Sequence, residues 1–293
     1  MYISIWFGIM LGTQTGCSVF KKQPAEAELA AAVQTTAASP AAETKPAPPP
    51  GTRPQNAPSA MPKVPPAGAR LSYSSVHTDK TVLAMTFDDG PHPVNTPKLL
   101  DMLKQRNIKA TFFVVGKNAK EYPQIIRRII EEGHEIGNHT WTHASLTSRS
   151  DSQIRSELKM SEDALVAAAG YRPHLVRPPY GAINQRIKEF MLSEFGYSTI
   201  MWSVDPNDWK RPGVSVVTSR LVNGAHKGAI LLAHDIHAPT IQAMPATFDQ
   251  LLAKGYQFVT VSQLMNIEKE TAPLGVVIQP AGPADRDPQP LPQ

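Results

Sequence analysis

The sequence is poor in several features that define common protein classes. Of its 293 residues only Cys17 is a cysteine, so no internal disulfide can form. There is no dense block of lysine and arginine and the formal net charge is only +4, which makes nucleic-acid binding a weak hypothesis. A Gly-x-Ser-x-Gly motif is also lacking, which counts against a serine hydrolase with a nucleophile elbow. The positive indications therefore come from other motifs and from the placement of proline.

Proline divides the chain into regions. Residues 18–69 are dominated by Ala, Pro, Thr and Lys, and residues 269–293 have a similar composition. Such segments bury too little apolar surface to offset the entropy of ordering, so we expect a disordered linker and a disordered tail. Residues 70–268 remain, and about 200 residues are enough for a single folded domain.

The amino terminus predicts export. Residues 2–12 form an apolar run that is too short to span a bilayer comfortably and that resembles the core of a secretory signal. Gly16-Cys17 follows and resembles a bacterial lipoprotein cleavage site, with residues 1–17 as the signal peptide and Cys17 as the lipidated residue. The alternative is an ordinary signal peptide with an incidental cysteine. We expect a cell-envelope lipoprotein that meets the membrane only through this anchor, or else a secreted protein.

Between residues 70 and 268, apolar runs alternate with stretches of helical period, which is typical of repeated βαβ units. Strands are predicted over 81–86, 110–115, 135–138, 175–177, 197–204, 229–233 and 256–261, and helices over 97–104, 122–131 and 152–169. About seven parallel strands close most economically into a (β/α)7-type barrel, an α/β fold, with an open doubly wound sheet as the competing arrangement.

Polar residues follow the carboxyl ends of five of the predicted strands, which favours the barrel over the open sheet. These residues are Asp88-Asp89, His139, Arg177, Asp205 and His234. Barrel enzymes collect their catalytic residues on that rim, whereas an open sheet would spread them along a line.

Two of these motifs indicate metal chemistry. His139 and His143 are four residues apart, so that in a helical turn their side chains would share one face. One carboxylate of Asp88-Asp89 and the two imidazoles form a plausible ligand set for a zinc-like ion with one position open, and the spare carboxylate is a candidate general base. The simpler interpretations are a solvated Asp-Asp-Gly-Pro turn and two surface histidines spaced by chance.

Five motifs then stand in order along the chain: residues 86–91 (TFDDGP), 139–143 (HTWTH), 177–181 (RPPYG), 205–209 (DPNDW) and 232–234 (LAH). Together they resemble the motifs of the NodB-type polysaccharide deacetylases, carbohydrate esterase family four, over about residues 78–266. The resemblance implies a distorted (β/α) barrel that binds one divalent ion, usually zinc and alternatively cobalt. It also implies that Asp89, His139 and His143 are the ligands and that Asp88 is the base.

The same resemblance implies roles for the other motif residues. His234 would be the general acid, and Asp205 is expected to pair with it; the alternative is that Asp205 only caps the following turn. Arg177 is expected to hold Asp88, although a structural salt bridge is the alternative. The backbone N–H of Tyr180 would bind the oxyanion. The two remaining candidates, which would shape the pocket for the acetyl group and sugar, are Trp209 and Leu232; plain core packing is the alternative for both.

The implied activity is hydrolysis of N-acetyl groups on N-acetylglucosamine units of a polysaccharide, with release of acetate. Peptidoglycan is the first expectation, and chitin oligomers and poly-N-acetylglucosamine stay open. One alternative is an O-acetyl esterase on acetylated xylan or another glycan. Another is a non-catalytic carbohydrate-binding lipoprotein with a structural ion, although a fourth protein ligand is not evident. Adjacent carboxylates fit a glycosidase poorly. The sequence predicts no oligomeric state.

Overall fold

The computed structural model describes residues 70–271. The predictions made for residues 1–17, for the linker 18–69, for Cys17 and for most of the tail lie outside the described residues. The last helix runs to Thr271, so it extends past residue 268, the predicted end of the domain.

The sheet within residues 70–271 has eight strands, and every ladder between them is parallel. The strands are β1 Ser72–Tyr73, β2 Val82–Asp88, β3 Thr111–Val114, β4 Glu135–Asn138, β5 Leu175–Val176, β6 Ser198–Ile200, β7 Ala229–His234 and β8 Gln257–Phe258. Their order is β1-β6-β5-β4-β3-β2-β7, with β8 paired to the first residues of β2.

The sheet closes into a ring just beyond β6. Val204 forms a parallel bridge with Leu231 of β7, and its carbonyl accepts the N–H of Leu232 at 2.9 Å. β7 in turn pairs with β2 from Leu83 to Asp88. The predicted α/β barrel is therefore confirmed, in a distorted form whose closure depends on a short bridge instead of a full ladder.

Helices cover the outside of this ring. They are α1 Asn95–Gln105, α2 Gly116–Glu121, α3 Pro123–Glu131, α4 Asp151–Ala169, α5 Gln185–Phe195, α6 Val214–Gly224, α7 Ala238–Ala253 and α8 Val261–Thr271. The spacing of their apolar residues explains how they dock. In α3, for example, Ile125, Ile126 and Ile129 lie on one face and are buried. None of the helices in the described part of the chain is long and apolar enough to cross a membrane.

Strand β2 shows how the fold positions polar groups. Leu83, Met85 and Phe87 belong to the core between the sheet and the helices, whereas Ala84 belongs to the core inside the ring. Successive side chains of a strand point to opposite faces, so Thr86 and Asp88 also face the interior of the ring. An acidic side chain at the end of a buried strand is thereby held at the mouth of the barrel.

Several elements of the structure differ from those that the sequence predicts. α2 has only Gly116 and Ala119 buried, so it carries too few apolar residues to show a helical period. The strand predicted over 197–204 ends at Ile200, because the carbonyls of Ile200 and Met201 accept hydrogen bonds from Arg177 instead of continuing the ladder. β1 is two residues long and was not predicted.

Candidate metal site and catalytic residues

Three predicted ligands lie together at the carboxyl end of the barrel. Asp89 follows β2, and His139 and His143 lie in the loop after β4. One donor atom from each lies within 4.8 Å of the other two. Oδ1 of Asp89 is 3.4 Å from Nε2 of His139 and 3.2 Å from Nε2 of His143. This is the only such cluster of His, Cys, Asp and Glu found among residues 70–271.

The donor chemistry of this cluster fits a divalent cation. Nδ1 of His139 lies 2.7 Å from the carbonyl oxygen of Arg177, and since a carbonyl only accepts, Nδ1 carries the proton and Nε2 presents a lone pair to the cluster. Oδ1 of Asp89 is buried and has no hydrogen-bond partner. Burial is the main cause that lowers the pKa of His143 to about 4, so its imidazole is neutral at pH 7. A buried anionic oxygen between two imidazole nitrogens is an arrangement that a cation would complete.

Asp88 is adjacent to the cluster but is held differently. Its Oδ1 accepts a 2.7 Å hydrogen bond from Nη1 of Arg177, and its Oδ2 lies 3.8 Å from Nε2 of His139. Asp88 is 3% exposed. One oxygen is thus fixed by a guanidinium while the other faces the cluster of predicted ligands.

Arg177 is fully buried, yet its charge is compensated on every side. Besides Asp88, it donates to Thr86 Oγ1 at 2.7 Å and to the carbonyls of Ile200 and Met201 at 3.2 and 3.0 Å. Its guanidinium lies 4.2 Å from the centre of the Phe113 ring. Because a buried charge requires such pairing, Arg177 has one orientation available, and that orientation fixes Asp88.

His234 ends β7, across the ring from β4, and is paired with Asp208. Its Nδ1 is 2.8 Å from Oδ1 of Asp208, whose Oδ2 accepts the backbone N–H of His234 and the hydroxyl of Thr240, both at 2.8 Å. Burial alone would lower the pKa of His234, but the hydrogen bond and charge of Asp208 outweigh it and raise that pKa to about 9. The imidazole is therefore protonated at pH 7.

The predicted pairing of Asp205 with His234 is wrong. Asp205 Oδ1 accepts the backbone N–H of Asn207 at 2.7 Å, and this local bond turns the chain two residues later. Asn207 then adopts a left-handed conformation (φ 52°), which brings Asp208 under His234. The motif contains two aspartates three residues apart, and their spacing alone does not show which one reaches the histidine.

The comparisons with known proteins agree with this geometry. The sequence model of the polysaccharide deacetylase family matches residues 75–200. The peptidoglycan-N-acetylglucosamine deacetylase PgdA of Listeria monocytogenes is 42% identical over 182 residues, which cover 62% of this chain and 38% of that protein. The chitooligosaccharide deacetylase of Bradyrhizobium is 34% identical, with 69% of this chain and 98% of that protein covered. The chain belongs to the polysaccharide deacetylase family.

A solved structure of a family member resembles this fold as well. The peptidoglycan-N-acetylmuramic acid deacetylase PdaC of Bacillus subtilis is 39% identical, with 67% of this chain and 41% of that protein covered. Its solved structure superimposes with a TM-score of 0.62 at 40% identity, over 66% of this chain and 93% of the solved chain. The present chain thus spans only 38% of the length of the Listeria protein and 41% of the length of the Bacillus subtilis protein.

The remaining predicted residues lie around the same opening of this polysaccharide deacetylase domain. Tyr180 has a left-handed backbone (φ 62°), its side chain is 57% exposed, and its ring lies 4.6 Å from that of His143. Trp209 is half-buried with Lys210 Nζ 4.8 Å above its ring. Leu232 is buried in β7 in register with Thr86, on the face of the strand that points into the ring.

Sequence reasoning missed two polar residues that act on the loop of Asp89. Asn118 of α2 donates to the carbonyl of Asp89 at 2.8 Å. Asp235 is fully buried, and its Oδ2 accepts a hydrogen bond from the hydroxyl of Thr96. It packs so closely against Gly90 that a Cβ at that position would lie 2.3 Å from Oδ2 of Asp235. Burial is the main cause that raises the pKa of Asp235 to about 7. Its place directly after His234 at a strand end was the one signal available.

Proposed function

We propose that this chain is a metal-dependent hydrolase that removes N-acetyl groups from N-acetylglucosamine units of a cell-envelope polysaccharide and releases acetate. The observation that carries the proposal is the position of the Asp88 carboxylate between a three-ligand cluster and a buried arginine. A structural metal site has no need for a second carboxylate held in this way, whereas hydrolysis needs a base beside the cation.

Asp89, His139 and His143 are proposed to hold one divalent ion, with Zn²⁺ as the first choice and Co²⁺ as the alternative. Once bound, such an ion supplies Lewis-acid chemistry, which acidifies water and polarises an acetamide carbonyl. Their arrangement leaves the side toward the solvent open, because Asp89 and His143 are only partly buried.

Asp88 is the proposed general base. Its Oδ2 is the oxygen that faces the cluster, so it is placed to take a proton from water attacking the acetyl carbon. Arg177 keeps the other oxygen occupied at 2.7 Å, which prevents the carboxylate from rotating. The buried arginine is therefore a positioning residue for the base.

His234 is the proposed general acid. An amine is a poor leaving group unless it is protonated, and the pKa of His234, raised to about 9, keeps a proton on its ring at pH 7. Asp208 binds Nδ1, so Nε2 is the nitrogen available to donate to the departing amine. The pair also fixes the ring plane, because Asp208 is itself held by Thr240 and by the backbone of His234.

The backbone N–H of Tyr180 is proposed to bind the oxyanion, and Trp209 and Leu232 to shape the pocket that receives the acetyl methyl group. Peptidoglycan N-acetylglucosamine is the proposed substrate, supported by the name of the Listeria relative; the name of the Bacillus subtilis relative supports peptidoglycan but gives N-acetylmuramic acid as the sugar. Chitin oligomers and poly-N-acetylglucosamine are the other polymers to test, together with acetylated xylan for the O-acetyl esterase alternative.

Export is part of the proposal. The apolar run 2–12 followed by Gly16-Cys17 supports a lipid anchor on Cys17 and a cell-envelope location, which brings the domain to its polymer. Labelling with a radioactive fatty acid should mark the wild type and not Cys17→Ser, while equal labelling of both would exclude the anchor.

Acetate release from a panel of these purified polymers tests the activity. We expect release from N-acetylated glycans that disappears on chelation and returns with Zn²⁺ or Co²⁺. Full turnover by metal-free protein would exclude the scheme, and release from acetylated xylan alone would favour the esterase. A protein that binds the glycans without releasing acetate would be a binding module.

A further inference from the structure

The loop that carries both predicted histidine ligands is conformationally strained. Thr140 and His143 have positive φ values of 65° and 60°, in the left-handed region that residues other than glycine rarely occupy. Such a backbone persists only where its surroundings hold it in place. The contacts of residues 140–142 therefore decide whether the two imidazoles stay together.

Most of those contacts are made by backbone groups or by a buried amide. The N–H of Thr140 is accepted by Oδ1 of Asn138 at 2.8 Å. The carbonyls of Thr140 and Trp141 accept the N–H groups of Gly116 and Lys117, at 2.9 and 3.1 Å. These bonds fix one side of the loop against the start of α2.

The other side of the loop is held by a single side chain on α4. Oε2 of Glu157 accepts the N–H groups of both Trp141 and Thr142, at 3.0 and 2.9 Å, and its Oε1 accepts the hydroxyl of Thr142 at 2.8 Å. One carboxylate thus accepts three hydrogen bonds from two consecutive residues. No predicted catalytic or metal-binding role uses this residue.

The helix beneath Glu157 is a rigid support. Its neighbour Leu158 is fully buried, and the carbonyl of Leu158 accepts Nδ2 of Asn138 at 3.0 Å, directly before His139. A Cβ at Gly116 would lie 2.6 Å from the Cα of Ser161, so α2 and α4 pack in close contact. A carboxylate on such a helix can impose a position on the loop instead of following it.

We propose that Glu157 is a positioning residue for the metal site, which sets the distance between His139 and His143 by holding the backbone that joins them. This inference rests on the proposed function, since it concerns the same ion. It differs from the usual support of a metal ligand, in which a carboxylate or carbonyl binds the ligand's own ring, as the carbonyl of Arg177 binds His139.

The affinity of the full-length protein for Zn²⁺, measured by competition with a chromophoric chelator and without any substrate, tests the role. Glu157→Ala should weaken Zn²⁺ binding by about 10- to 100-fold, the range found when supports of metal ligands are removed. The thermal midpoint of the metal-free protein should change little. Trp141 is half-buried and Thr142 is exposed, so water can replace the lost acceptor.

Glu157→Gln should stay within about threefold of the wild type, because its amide oxygen can still accept both N–H groups while the Thr142 hydroxyl rotates to accept from the amide. Asp163→Ala is the matched control, since this acidic residue lies on the same helix and pairs only with Lys159 among the interactions described. It should bind Zn²⁺ like the wild type. Co²⁺ absorption in the visible range should change in Glu157→Ala alone.

Three results would overturn the role of Glu157. Wild-type affinity in Glu157→Ala is the first. Equal weakening in the Ala and Gln variants is the second, because it would assign the effect to charge and not to hydrogen bonds. If the Ala variant does not fold, Glu157→Asp replaces it; this shorter carboxylate should weaken Zn²⁺ binding, and unchanged affinity would be the third. A wild type that binds no ion would instead remove the proposed metal site itself.

Discussion

At the scale of single residues, two aspartates of one motif have different neighbours and should have different effects on pH dependence. Asp208 raises the pKa of His234, which must be protonated to act as an acid, so activity should fall as pH rises through about 9. In Asp208→Asn, burial still lowers the pKa of His234, whereas the negative charge of Asp208 that raises it is gone. The alkaline limb of kcat/KM should therefore move to lower pH by at least one unit, or about tenfold in proton concentration.

Asp205→Asn is the matched control, because Asp205 bonds to the backbone of Asn207 and not to His234. Its alkaline limb should move much less than that of Asp208→Asn, because Asp205 acts on His234 only through its charge and without a hydrogen bond. An unchanged limb in Asp208→Asn, or equal shifts in both variants, would contradict the assignment of His234 as the acid.

Because of Asp235, we expect the free energy of unfolding to depend on pH. Burial raises its pKa to about 7, so between the unfolded value near 4 and pH 7 the folded state binds a proton that the unfolded state has lost. Wild-type stability should consequently decline over that interval, by up to roughly 1.4 kcal/mol per pH unit, and level off above it. Asp235→Asn removes this slope. Denaturant unfolding of both proteins in chelator should show a difference that grows from pH 4 to 7, whereas a constant difference would argue against a buried neutral acid.

The residues show what the sequence could and could not predict about the site. Asp89 and His139 were predictable because they follow the ends of buried strands. The helical turn expected from the four-residue spacing of His139 and His143 is wrong, since this loop is not helical and Thr140 and His143 have positive φ values, yet the loop still brings the two imidazoles together. The choice of Asp208 over Asp205 was not, because it depends on one left-handed residue, Asn207, inside a turn. Glu157 was hidden for a similar reason: on a polar helix it looks like a solvated acid, and only the fold of the loop after β4 gives it partners.

At the scale of elements, α4 supports the site and its own start is well defined. Ser150 accepts the N–H of Gln153 while the Gln153 side chain accepts the N–H of Ser150, which forms a capping box. Ser150→Ala should lower the free energy of unfolding by about 1 kcal/mol. Ser156→Ala, at an exposed position inside the same helix, should cost less than about 0.5 kcal/mol. Urea unfolding measures both, and equal losses would contradict a specific contribution of the cap.

Long elements were predictable and short ones were not. β2 is seven residues long and buried throughout, so its apolar run shows in the sequence. β5 and β8 have two residues each, which is too short for any period to define their ends. α2 lacks an apolar stripe because only two of its residues are buried, although its first N–H groups hold the loop of the predicted ligands.

At the scale of the whole molecule, closure of the sheet explains why distant motifs act together. β2, β4, β5 and β7 deliver Asp88, His139, Arg177 and His234 to one end of the ring. The buried contacts of Arg177 with Asp88 and with the carbonyls of Ile200 and Met201 at the end of β6 then join residues more than 20 positions apart. Alternating strands and helices predicted this ring, but not the single bridge from Val204 to Leu231 that closes it.

The central claim is that one carboxylate of the Asp88-Asp89 pair binds the ion and the other acts as the base. The most direct test is to measure Zn²⁺ content and acetate release in the same preparations of wild type, Asp88→Asn and His139→Ala. We predict that Asp88→Asn keeps about one Zn²⁺ per chain and loses at least about 100-fold in turnover, as removal of a general base does, whereas His139→Ala loses the ion as well. Wild-type turnover in Asp88→Asn, or full Zn²⁺ content in His139→Ala, would contradict the account.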